Sequence, residues 1–199
     1  MPTGRCSAVP VRERGAGAVR LEVRLTGSGG QGLILAATVL AEALVNAGKE
    51  VVETQSYGPE ARGGASRAEI VVSDEEIDYP EVTAPDVTLC LSQEAFDGYA
   101  AETRQGGVVL YDRDLVSPRP LEGVRLVGLP FSDAAEHELG RVVVANVVAL
   151  GALLAVTGLV SPDALREALA RRMPARSVEL NLKALDVGLA LREGAVAAG

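Results

Sequence analysis

Along Arg20-Leu-Glu-Val-Arg-Leu, polar and apolar positions alternate with the period of a strand, and a glycine-rich turn at 27–32 then leads into a segment of different period. From Leu33 to Ala47 the residues Leu33, Leu35, Ala36, Val39, Leu40, Ala43 and Leu44 fall on one broad stripe, which predicts a helix ended by Gly48. Glu50-Val-Val-Glu-Thr predicts a second strand, so strand, helix and strand make a parallel crossover unit of about thirty residues. Arg67-Ala-Glu-Ile-Val-Val-Ser73 reads as a third strand, reached too soon for a helical crossover and so expected antiparallel or at the sheet edge. Asp74 to Pro80 is turn material. Asp86-Val-Thr-Leu-Cys-Leu predicts a buried strand, followed by a helix from Ser92, a natural cap, to about Arg104. Two further strands are expected at Gly107-Val-Val-Leu-Tyr111 and Val124-Arg-Leu-Val-Gly128. Beyond Pro130 the pattern is helical: near 132–139, at about 140–158, from Ser161-Pro162 to Arg172 and from about Val178 to Arg192. The expected architecture is a three-layer α/β domain with a mostly parallel sheet and a helical C-terminal part.

Composition sharpens this picture. A chain of 199 residues suits one domain with a full core, read as residues 20–199 behind a loose arm, 1–19, rich in Gly, Pro, Arg and Ala. That arm lacks the apolar stretch a secretory signal needs. Hydrophobic residues make up 48% and aromatics only 3%, which favours closely packed α/β layers over an aromatic-rich sandwich. A formal charge of −8 with no basic stripe argues against nonspecific nucleic-acid binding. Cys6 and Cys90 make no disulfide framework, and with His137 alone the chain has no thiolate or imidazole set for an iron–sulfur cluster or structural zinc. His137 reads as a solvated helix-face residue. Val142 to Val160 carries no charge over a length approaching a membrane span, but Asn146, Thr157 and the missing aromatic belt favour a buried helix. Its small residues, Ala149, Gly151, Ala152 and Ala155, favour contact with another subunit.

The glycine turn carries the first candidate chemistry. Gly27, Gly29 and Gly32 fit the G-x-G-x-x-G spacing between strand and helix, with Glu50 and Glu53 near the distance of a ribose-binding acid. Read alone, this Rossmann-like grammar serves a dinucleotide, another anionic ligand approaching the helix N-terminus, or only a tight turn. The second candidate is the loop Gln55, Ser56, Tyr57, Gly58, Pro59, Glu60, Ala61, Arg62, Gly63, Gly64, which leaves the C-terminal end of the second strand and so shares a rim with the turn. Either Glu60 and Arg62 satisfy each other, or Arg62, with Arg67 nearby, holds an anion through its planar fork: the diphosphate of coenzyme A, a substrate carboxylate or an acidic residue of a partner. Ser92, Gln93 and Glu94 are open between helix capping and site contact, and Tyr79 and Pro80 read as turn packing. One histidine outside any nucleophile motif and scattered carboxylates give no catalytic constellation.

Taken together, Gly27-Ser-Gly-Gly-Gln-Gly32, Gln55-Ser-Tyr-Gly-Pro-Glu-Ala-Arg-Gly-Gly64, Ser73-Asp-Glu-Glu-Ile-Asp-Tyr-Pro80, Leu91-Ser-Gln-Glu-Ala-Phe96, Asn146-Val-Val-Ala-Leu-Gly-Ala-Leu153 and Glu179-Leu-Asn-Leu-Lys-Ala-Leu185 resemble the gamma subunit of the 2-oxoacid:ferredoxin oxidoreductases, over about Val23 to Leu191. The resemblance implies a subunit, not catalytic alone, of a cytoplasmic complex that makes acyl-CoA. It implies alpha and beta partners holding thiamine diphosphate and Mg²⁺, 4Fe-4S clusters, and a ferredoxin-like delta subunit or ferredoxin as electron acceptor. No cofactor is assigned to this chain alone, and neither nucleic acid nor membrane is an expected partner. Gly30 and Gln31 favour this reading over a nicotinamide fingerprint, and the turn is expected to face the thiamine diphosphate and coenzyme A site. The site residues implied are Gly27, Gly29, Gly30, Gln31, Gly32, Gln55, Ser56, Tyr57, Gly58, Arg62, Gly63 and Gly64, with 2-oxoglutarate the preferred acid. A stand-alone dinucleotide-binding oxidoreductase and a noncatalytic ligand-binding module are the alternatives.

Overall fold

The computed structural model describes residues 13–14, 18–56 and 65–191. Among these, seven strands form one sheet: β1 (Glu13–Arg14), β2 (Ala18–Ser28), β3 (Glu50–Ser56), β4 (Ala65–Ser73), β5 (Val87–Cys90), β6 (Val108–Asp112) and β7 (Arg125–Leu129). Their order is β3-β4-β2-β5-β6-β7, with β1 paired to the start of β2. β2, β5, β6 and β7 pair in parallel, and β4 runs antiparallel to both its neighbours. Helices α1 (Leu33–Asn46), α3 (Phe131–Leu139), α4 (Ala145–Thr157), α5 (Pro162–Arg172) and α6 (Ala175–Ala190) build the core on one face, while α2 (Gln93–Tyr99) covers the other. The expected boundary at residue 20 falls inside β2, because Glu13 and Arg14 of the expected arm pair with Val19 and Ala18.

The first crossover departs from expectation. β2 and β3 do run in the same direction, but β4 lies between them, so the crossover is split. β4 is also an interior strand, with Ala68, Ile70 and Val71 fully buried, whereas β3 is the edge and exposes Thr54, Gln55 and Ser56. Burial on both faces decides the placement: the Ile70-Val71-Val72 run suits an interior strand, and the polar end of β3 suits an edge.

β2 alternates as expected, with Leu21, Val23 and Leu25 in the main core, but its polar face is buried too. Glu22 accepts from the amides of Thr83 and Ala84, and Thr26 Oγ1 donates to the Leu89 carbonyl at 2.8 Å. These partners offset the desolvation that a buried polar row would otherwise suffer. Local signals place the helix starts: Ser92 Oγ accepts from the Ala95 amide and Ser161 Oγ from the Ala164 amide, with Pro162 opening α5. α2 is shorter than expected, ending at Tyr99 and tightening into a 3-10 turn at Ala100–Glu102.

The apolar segment resolves into a 3-10 turn, Val142–Val144, and α4, which is buried nearly all round. Among its small residues Gly151 meets α6 of the same chain, which supplies cover that was expected from another subunit. A side chain at Gly151 would strike the Leu185 carbonyl, and one at Gly188 the Val148 carbonyl, so the two helices touch backbone to backbone. Among the described residues no helix is long and apolar enough to cross a membrane.

The contact yields a paired prediction. Gly188→Ala forces α4 and α6 apart and lowers stability by about 1–3 kcal/mol. Gly98→Ala, on α2 with open space around it, raises stability by about 0.5–1 kcal/mol through helix entropy. Urea midpoints measure both, and a wild-type midpoint for Gly188→Ala would refute the close approach.

Candidate functional site

After β2 the chain turns toward β3 through α1, and after β5 it turns toward β6 through α2 on the opposite face. The C-terminal ends of β2 and β5 therefore flank the switch point where open α/β sheets place ligands. The glycine turn and the Leu91-Ser92-Gln93 segment stand on either side of it.

Gln31 spans this crevice. Its Oε1 accepts from the Ser28 amide at 2.7 Å, and its Nε2 donates to the Leu91 carbonyl at 3.0 Å. Both ends of this amide, in the turn expected to face the thiamine diphosphate and coenzyme A site, are thus engaged within the chain. Gly27 lies beneath, where a side chain would collide with Gln31 and crowd Leu91. Gly32 adopts φ 70° and its carbonyl accepts from Asn146 Nδ2 at 3.1 Å, tying the turn to α4. An added side chain there would lie 2.5 Å from that same Asn146 nitrogen. Gly29 and Gly30 form the exposed crest, and around Gly29 a side chain would meet nothing among the described residues.

Two cavities flank the turn. One, of about 300 Å³, is lined by residues 28–34 and Ser66 and receives the N-terminus of α1, which no side chain caps. Its first amides have no acceptor within the helix and favour an anion. The other, of about 210 Å³, includes Gly30, Gln31, Leu91, Asp112, Ser132 and Asn146, with Leu115, Val142 and Val143 forming an exposed apolar lip. Asp112 ends β6 almost fully buried, accepting from the Ser132 amide at 3.0 Å, from Ser132 Oγ at 2.6 Å and from the Asp114 amide at 3.1 Å. Burial raises its pKa above the usual carboxylate value despite these bonds.

Gln55 and Ser56 end β3 on the same rim, exposed, with Ser56 opposite Arg67 and Arg67 opposite Thr26 of β2. Tyr57, Gly58, Arg62, Gly63 and Gly64, with Glu60, lie outside the described residues. Glu53, the candidate ribose acid, is two strands away from β2, where its Oε1 accepts from Thr38 Oγ1 and Gln55 Nε2. A dinucleotide fingerprint needs that acid on the adjacent strand, so the nicotinamide grammar is not completed here. Ser92 and Gln93 act in local structure, Ser92 as the α2 cap and Gln93 accepting from the Ser117 amide at 2.8 Å. Tyr79 donates to Glu81, also within its own turn.

Elsewhere, His137 is exposed and paired with Asp133, whose carbonyl and charge raise its pKa. Cys90 is buried beside Thr26, and desolvation pushes its thiol up to about 12, so it is no nucleophile at neutral pH. Among the described residues no three His, Cys, Asp or Glu side chains gather as a metal site. Sequence reading missed Asp112, Ser132 and a charged cluster around Arg24. The available signal was the recurrence of Glu22, Arg24 and Glu69 on strands that pair with one another.

Two outcomes follow from the turn and from Asp112. Gln31→Leu strands the Ser28 amide and the Leu91 carbonyl and lowers stability by about 1 kcal/mol or more, read from urea midpoints. For Asp112, the raised folded pKa means that the folded state binds its proton more tightly than the unfolded chain. Its favourable linkage is complete below the ordinary value of 3.8 and declines as pH rises through the folded pKa. The stability of wild type relative to Asp112→Asn therefore falls as pH rises from about 4 toward neutrality; a constant difference would show that Asp112 titrates normally.

Comparison with known proteins places this geometry. Residues 22–191 match the family model described as pyruvate ferredoxin/flavodoxin oxidoreductase. The 2-oxoglutarate synthase subunit KorC of Methanocaldococcus jannaschii is 47% identical over 173 residues, 85% of this chain and 92% of that protein. The crystal structure of the keto/oxoacid ferredoxin oxidoreductase gamma subunit from Geobacter sulfurreducens is 46% identical, with a TM-score of 0.78 over 85% of this chain and 94% of that one. The 2-oxoglutarate:ferredoxin oxidoreductase from Magnetococcus marinus, with 2-oxoglutarate, coenzyme A and succinyl-CoA bound, is 29% identical with a TM-score of 0.77 over 86% of this chain but 30% of that one, so there the same unit is part of a longer polypeptide. With its split crossover and braced glycine turn, the chain belongs to the pyruvate ferredoxin/flavodoxin oxidoreductase family, as a gamma-type subunit.

Proposed function

We propose that this chain, acting as one domain, completes the coenzyme A side of a cytoplasmic 2-oxoglutarate:ferredoxin oxidoreductase. In the reaction, 2-oxoglutarate loses CO₂, its succinyl group passes to coenzyme A, and two electrons leave to ferredoxin. Thiamine diphosphate, Mg²⁺ and the 4Fe-4S clusters belong to the alpha and beta chains and a ferredoxin-like delta partner. They supply decarboxylation and electron transfer, while this chain orients and encloses.

The observation that carries the reading is Gly29. Nothing among the described residues crowds it, and its backbone is not in the left-handed region, so among those residues neither packing nor conformation demands a glycine there. A group arriving from outside does, because a bare backbone permits close approach. The crest stands at the switch point beside the uncapped start of α1, a setting that suits an anionic group such as the phosphates of coenzyme A. The apolar lip of Leu115, Val142 and Val143 adjoins it and suits cover by a neighbouring subunit.

The test is anaerobic co-purification of the chain from its native cells, with assay of 2-oxoacid- and coenzyme A-dependent reduction of a viologen dye. Co-purifying thiamine- and cluster-binding chains with preference for 2-oxoglutarate support the proposal; a solitary chain without such activity refutes it. Within the complex, Arg62→Ala lowers kcat/KM for coenzyme A, or weakens assembly, by about 1.5–3 kcal/mol, the worth of one charged hydrogen bond. Wild-type kinetics together with wild-type assembly would remove Arg62 from the site.

A further inference from the structure

Arg67 is the third residue of β4, flanked by Thr26 of β2 and Ser56 of β3, at the end of the sheet that carries the glycine turn. Its side chain joins a cluster on the α2 face with Arg24, Glu69, Tyr99 and Glu102. Arg24 is 2% exposed and takes both carboxylates: its Nε donates to Glu69 Oε1 at 2.7 Å and its Nη1 to Glu102. Tyr99 supports both guanidinium groups, with their central carbons 5.7 Å (Arg24) and 5.8 Å (Arg67) from the ring centroid.

Arg67 is left differently. Its Nε stands 3.9 Å from Glu69 Oε2, an ion-pair distance but too long for a hydrogen bond. That Nε is the buried side-chain nitrogen or oxygen without a hydrogen-bond partner among the described residues. Yet the side chain remains 35% exposed, so the guanidinium is anchored by its inner side and open on the remainder. The four N–H donors of its two outer nitrogens, fixed in a plane and backed by an aromatic ring, are arranged to receive a planar or tetrahedral oxyanion. The net charge of −8 does not prevent this. At physiological ionic strength distant carboxylates are screened beyond about 8 Å, and the local guanidinium dominates.

We propose that Arg67 binds an oxyanion, a carboxylate or a phosphate, that reaches the rim from outside the described chain on the α2 face. This deepens the reading above, on which the rim faces coenzyme A and partner subunits. Either supplies the chemistry, as a coenzyme A phosphate or as a partner's Asp or Glu carboxylate.

The test uses Arg67→Gln and Arg67→Lys in the assembled complex and in the full chain alone. If the oxyanion is a coenzyme A phosphate, Arg67→Gln raises the KM for coenzyme A about tenfold with little change in kcat, and Arg67→Lys restores part of the loss. If it is a partner carboxylate, the KM stays put and the Arg67→Gln complex dissociates at salt concentrations that wild type withstands. The full chain alone is titrated with inorganic pyrophosphate, which raises the Tm of wild type and not of Arg67→Gln. This arm needs no catalysis, so it judges Arg67 even where the complex proves to have another activity. Equal KM, equal salt tolerance and equal pyrophosphate response in wild type and Arg67→Gln overturn the proposal and leave Arg67 a structural member of the Arg24 cluster, whatever its Tm.

Discussion

The amide of Gln31 joins the ends of two parallel strands whose connections leave for opposite faces of the sheet. One end holds the Ser28 amide and the other the Leu91 carbonyl, so the turn after β2 and the segment after β5 are fixed to each other across the crevice. Around that link, Gly27 leaves room for the amide, and Asn146 fixes the next carbonyl through Gly32. Three elements far apart in sequence, β2, β5 and α4, therefore share one half-buried junction. In a partly desolvated place each bond is worth more than it would be in water, and each partner lost leaves a group unsatisfied. The crest at Gly29 and Gly30 inherits its position from this junction.

The same chain uses close approach for a second purpose. Gly151 and Gly188 bring α4 and α6 into backbone contact, which gives α4 its cover and holds Asn146 at the head of α4 where the turn needs it. Beside the crest, the exposed apolar residues are then Val142 and Val143, just before α4, and Leu115. A hydrophobic helix that looks in need of a partner is covered within the chain, and a small apolar lip stands beside the crest.

Much of this was legible in advance because it rests on local rules. The Ser161-Pro162 start of α5, the Ser92 cap and the stripe of α1 follow from capping chemistry and the helical period, and the structure places them within a residue or two. Strand neighbours were harder to read. The sequence signals that β4 follows β3 too closely for a crossover, but not that β4 inserts between β3 and β2, which depends on which strand has both faces covered. The role of Gln31 was hidden for a similar reason: its acceptor, the Leu91 carbonyl, is backbone and carries no residue signature. The burial of Arg24 could not be read from the alternation along β2, because a period of two says which residues share a face and not whether a helix covers it. Composition did carry the aliphatic character of the main core, and the family resemblance was readable from motifs in order.

The insertion of β4 beside β3 also sets what kinds of change the rim tolerates over evolutionary time. Seven consecutive rungs, Glu50 to Ser56 against Ser73 to Arg67, fix this ladder, and Arg67 faces Tyr99 only because of its parity along β4. Residues added or lost between the two strands leave that parity untouched. A single residue inserted between Arg67 and Ile70 would instead turn the arginine to the opposite side of the sheet, among the apolar residues beneath α1. The count of residues along β4 is thus a constraint of its own: it holds the arginine on the α2 face whatever the length of the connection that precedes the strand.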